Sequence, residues 1–113
     1  MSPAKTIVNI ITAVVGVGEL ARYELTLVVG ETICRETWWV SEWDADPPSG
    51  LREVKRWVNT ELLNRLRLLR ARSVEVGYRN GSDREAPFPD DLHQTFKEII
   101  WDFFATNLLA GNL

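Results

Sequence analysis

Six apolar residues in the middle of the chain, Leu51, Val54, Val58, Leu62, Leu66 and Leu69, recur at the spacing of one helical face. That stripe constrains the fold more than any other feature. It predicts a helix from about residue 50 to about residue 70 that is amphipathic and therefore needs a surface to bury against. Pro47 and Pro48 precede it and forbid a strand ladder there. Ser49 is the expected N-cap, with Glu53 close behind it in the first turn. On this reading residues 41–50 form a loop.

The first forty residues supply the surface. Residues 5–15 read as a strand with both faces fairly apolar, and Gly16-Val17-Gly18-Glu19 as a turn. Over residues 20–29, Ala21, Tyr23, Leu25, Leu27 and Val29 alternate with Arg22, Glu24 and Thr26, the period of a half-buried antiparallel strand. Gly30-Glu31 separates it from a third β-prone run, Thr32 to Val40, as a hairpin link does. Trp38 and Trp39 put one large ring on each face of that run, and a one-residue slip would exchange them. Residues 73–79 alternate again, as a fourth strand would. Asn80-Gly81-Ser82-Asp83 reads as a turn that opens a loop through Pro87 and Pro89.

A second helix is expected from about residue 90 to about residue 109. Asp90 and Asp91 suit the positive end of its dipole, and Gly111 is placed to stop it. Strands gathered early and helices late define the α+β class. The expectation is a single domain over residues 1–113: a three- to four-stranded antiparallel sheet, an N-terminal β-meander, with two C-terminal α-helices mainly on one face. Its inner set is Tyr23, Leu25, Leu27, Val58, Leu62, Leu69, Phe96, Ile99 and Phe103.

Composition excludes several classes. With 113 residues, 45% hydrophobic and 26% charged, the chain is neither disordered nor fibrous. Cys34 is the only cysteine and His93 the only histidine, too few for an intrachain disulfide or a structural zinc site. A lone cysteine suits a reducing, cytoplasmic setting. The apolar run after Lys5 carries Thr6, Asn9 and Thr12 and reads as a buried strand rather than a cleaved leader. No stretch reaches the length of a membrane span. Gly16-Val17-Gly18 lacks the third glycine and the following helix of a dinucleotide site. Catalytic residue types are sparse. A Cys34–His93 pair is the only nucleophilic candidate, and nothing local activates Cys34. Asp44/Asp46 and Asp90/Asp91 lack the pattern of a metal loop. No cofactor, metal or catalytic residue is expected.

Three surfaces remain as candidate partner sites. On the second helix Leu92, Phe96, Ile99, Ile100, Phe103 and Ala110 form one stripe. Lys97, Trp101, Phe104 and Leu108 form another, roughly 120–140° away. Packing on one sheet uses only the first. The first helix carries a basic flank, Arg52, Arg56, Arg67 and Arg70, within a middle segment (51–85) of net charge +4. Aromatic Trp43 runs into Asp44 and Asp46, the makings of a contact site for a basic partner. An excess of apolar and aromatic surface favours a non-catalytic protein-interaction module, of the kind found among small acidic inhibitors and immunity or anti-defence proteins. Its partner would be another protein or a second copy, a homodimer. The alternatives are a nucleic-acid-binding accessory protein using the arginine flank, disfavoured by the net charge of −3, and a small-ligand-binding or enzymatic α+β domain.

Overall fold

A computed structural model describes residues 5–82 and 86–108. Strands β1 (Thr6–Val15), β2 (Arg22–Val29) and β3 (Thr32–Trp39) form the expected meander. A short helix α1 (Val40–Ala45), the long helix α2 (Pro47–Leu68), strand β4 (Val74–Asn80) and helix α3 (Asp90–Asn107) follow. The fold is α+β, with a four-stranded sheet in the order β3-β2-β1-β4.

The sheet is mixed. β1 and β2 pair antiparallel, as do β2 and β3, but β4 pairs parallel with β1. Chain direction explains this difference from the antiparallel expectation. β1 and β3 both run opposite to β2, so they share a direction. The chain leaves β3 through α1 and α2, the long helix carries it back, and β4 enters beside the free edge of β1 pointing the same way. A helical crossover is the usual link between parallel strands.

Register fixes the two faces. Val8, Ile10 and Thr12 of β1 lie level with Val29, Leu27 and Leu25 of β2, and Leu27 lies level with Cys34 of β3. This face is the inner one: Val8, Ile10, Thr12, Leu25 and Leu27 are fully buried. Val54, Val58, Leu62 and Leu66 of α2 and Phe96, Ile100 and Phe103 of α3 close over it. Both long helices thus cover one face. On the other face Ile7 and Ile33 remain more than half exposed. Trp38 points inward, where it meets Trp57 and Phe96, and Trp39 points outward with the Arg22 guanidinium over its ring.

The segment 41–50 is helical on both sides of Asp46, not a loop. Pro47 and Pro48 occupy the first positions of α2, where no backbone N–H is needed and a φ near −65° is already helical. The cap is therefore Asp46, not Ser49: its carboxylate accepts the Ser49 N–H at 3.4 Å. At the other end α2 stops at Leu68, earlier than the stripe implied. Arg70 takes a left-handed conformation (φ 52°) that turns the chain away, and Leu69 is 51% exposed rather than in the core. The other eight residues of the expected inner set are buried. Ala110, Gly111 and Asp83 of the sequence reading lie outside the described residues.

Candidate functional site

The second stripe of α3 faces the outer strand of the sheet. Val76 of β4 and Trp101, Phe104, Ala105 and Leu108 of α3 line an open apolar cleft of about 350 Å³. Trp101 is 46% exposed, Phe104 and Leu108 are half-buried, and the Lys97 ammonium lies 5.6 Å from the Trp101 ring centre. The cleft exists because α3 buries Phe96, Ile99, Ile100 and Phe103 inward while its next face overhangs the end of the sheet. Sequence reasoning found the helical half of this site. It missed Val76, because alternation in 73–79 marks a strand without saying that it ends the sheet.

β4 is that end strand, so one of its two edges has no neighbour among the described residues. The polarity of the edge follows from the flanking bonds. The Thr6 N–H donates to Ser73 O at 2.9 Å, and the Gly81 N–H donates to Thr12 O at 2.7 Å. Odd-numbered residues therefore aim their backbone groups at β1. Val74, Val76, Tyr78 and Asn80 aim theirs outward, since backbone direction alternates along a strand. An open strand edge thus runs along the apolar cleft.

Next to the cleft, a polar cluster joins α3 to the sheet. Thr12 Oγ1 and His93 Nδ1 share a hydrogen bond of 2.7 Å. Tyr78 stacks on the His93 ring at 4.4 Å, donates its hydroxyl to His93 O at 2.5 Å, and meets Trp101 edge-on at 6.3 Å. Burial pushes the Tyr78 phenol well above its ordinary range. Burial also lowers the His93 pKa, with Asp90 opposing that shift and Lys97 adding to it. The His93 ring is thus held between Thr12 and Tyr78. Cys34 lies on β3, two strands from the Thr12 bonded to His93, so the two candidate nucleophilic partners are not brought together.

The remaining candidates are dispersed. Trp43 is 6% exposed and packs against Tyr23, Trp38 and Phe96 at ring separations of 5.7, 6.3 and 5.8 Å. It caps the core instead of presenting its ring, and only its edge floors a shallow hollow with Trp39, Glu42 and Asp46. Asp44 is exposed and Asp46 is engaged as the α2 cap. On the arginine flank Arg56 donates to Glu53 at 2.7 Å. Arg52 lines a groove between α2 and α3 opposite Glu98 and Asp102. Arg67 sits in the last turn of α2, and Arg70 lies beyond its end. Glu53 thus pairs with Arg56, and Glu98 and Asp102 share the groove that Arg52 lines.

Among the described residues there is no group of three metal-ligating side chains and no helix long and apolar enough to cross a membrane. Comparison with known proteins finds no matching family model, no similar curated protein and no similar solved structure.

Proposed function

We propose that this chain is a non-catalytic protein-interaction module that docks an extended segment of a protein partner along β4. The observation that carries the reading is the coincidence of an open strand edge with the apolar cleft of Val76, Trp101, Phe104 and Leu108. The edge offers backbone donors and acceptors at Val74, Val76, Tyr78 and Asn80. The cleft offers a pocket for alternate side chains of the incoming strand. Strand addition uses this combination: main-chain bonds supply affinity and side-chain pockets supply specificity. Trp101 and Phe104 are residue types that anchor such contacts.

The test uses heptapeptides selected from a phage-displayed library against the folded chain. The expected result is apolar, β-prone sequences whose binding is lost on Trp101→Glu while the circular dichroism spectrum is unchanged. Selected peptides that bind the Trp101→Glu protein as well as the parent would overturn the proposal. So would a library that yields no binder.

A further inference from the structure

We infer that the strand received by β4 is β4 of a second copy, joined about a two-fold axis at Gly77. This rests on the docking reading above and names its partner. Read outward from Gly77, the strand Val74-Glu75-Val76-Gly77-Tyr78-Arg79-Asn80 is complementary to itself in the antiparallel sense. Pairing about Gly77 sets Glu75 opposite Arg79 of the other copy, twice, and Val76 opposite Tyr78, twice. Neither Glu75 nor Arg79 is ion-paired among the described residues.

Backbone polarity agrees with this register. In an antiparallel pair, residues facing each other either exchange two hydrogen bonds or none. Val76 and Tyr78 both aim outward, so each Val76–Tyr78 pair exchanges two bonds. Glu75, Gly77 and Arg79 aim at β1. They fall at the non-bonded positions, where side chains come closest and charge pairing is most effective. The two-fold of an isologous dimer requires this self-complementarity. Moving the axis to Val76 or Tyr78 keeps the hydrogen bonds but loses the Glu75–Arg79 pairing and shortens the overlap.

The helices fit the same operation. His93 bonds to Thr12 of β1 and stacks on Tyr78 of β4, which sets α3 over the seam between those strands. The two-fold carries a helix over that seam to about 10 Å from its copy, two strand spacings, where helices pack. Trp101 lines the cleft together with Val76 and lies 6.3 Å from Tyr78; those two residues flank the axis at Gly77, so the two-fold sets Trp101 toward its own copy. The exposed stripe of α3 is then covered by itself, and the sheet continues through eight strands.

The test is molar mass by light scattering from micromolar to submillimolar concentration, at low salt, for four proteins: the parent, Glu75→Arg, Arg79→Glu and the double variant. Both substituted residues are exposed, and circular dichroism reports the fold of each variant. The parent is expected to pass from monomer to dimer. Each single variant turns two attractive pairs into two repulsive ones and weakens the dimer by roughly tenfold or more. The double variant restores it. A parent that stays monomeric would overturn the inference, as would a dimer indifferent to the single reversals or a double variant that stays weak. Heptapeptides that bind the cleft of a monomeric parent would leave the docking reading standing without the second copy. Loss of both would end both.

Discussion

Gly50 sits in the first turns of α2, and replacing it by alanine separates local from tertiary control of stability. Propensity alone favours the change, since alanine in a helix gains about 0.5–1 kcal/mol over glycine. The structure predicts the opposite sign. A Cβ on Gly50 would lie 2.4 Å from Trp43 Cε3, 2.6 Å from Cζ3 and 2.8 Å from Cδ2. Ordinary carbon contacts are about 3.5–4.0 Å, so the ring or the helix must retreat by about 1 Å. Trp43 cannot retreat freely, because Tyr23, Trp38 and Phe96 hold it on its other sides. Overpacking of this kind costs about 1–3 kcal/mol. The net expectation for Gly50→Ala is a loss of about 1–2 kcal/mol, a few degrees in Tm for a chain of this size. Urea and thermal unfolding, followed by far-UV and near-UV circular dichroism, measure it. In a Trp43→Leu background the clash is gone, and Gly50→Ala should become neutral or stabilising. A stabilised Gly50→Ala in the parent would refute the packing of Trp43 against α2.

Other changes test the same architecture. Asp46→Ala should cost about 1 kcal/mol by removing the α2 cap, whereas Ser49→Ala should stay within about 0.5 kcal/mol, and urea midpoints compare them directly. Leu66→Ala should cost about 2–5 kcal/mol, while Leu69→Ala, at an exposed position, should cost far less; equal losses would contradict the end of α2 at Leu68. The lowered pKa of His93 makes stability depend on pH with a definite sign. Below the ordinary histidine value of 6.5 the unfolded chain takes a proton that the folded chain resists. This contribution is complete above 6.5 and is lost as pH falls toward the folded-state value. Chemical unfolding from neutral to mildly acidic pH should show the decline, and His93→Gln should flatten it.

Much of the fold was legible because its strands and helices carry their periods openly. Tyr23, Leu25 and Leu27 announce an inward face by alternation, and Val54, Val58, Leu62 and Leu66 announce one by helical spacing. What the sequence hid was set by longer-range geometry. Pro47 and Pro48 break a strand and a helix interior alike, yet they also suit a helix start, and only the cap at Asp46 chooses. The parallel pairing of β4 depends on the crossover through α2, which no local pattern in 73–79 encodes. Leu69 continues the apolar stripe in sequence, but the left-handed turn at Arg70 ends the helix beneath it. At the candidate site, Trp101, Phe104 and Leu108 stood out as surplus apolar surface. Val76 and the open edge became visible only with the strand order.

Amide hydrogen exchange at Val76 and Tyr78, followed as protein concentration rises, shows directly whether β4 accepts a strand. Both amides point away from β1, so in the lone chain they should exchange far faster than those of the central strand β1. Their protection should grow with concentration, in step with the mass of the dimer, and Glu75→Arg should hold it back. Rapid exchange at Val76 and Tyr78 at every concentration, and also in the presence of selected heptapeptides, would contradict it.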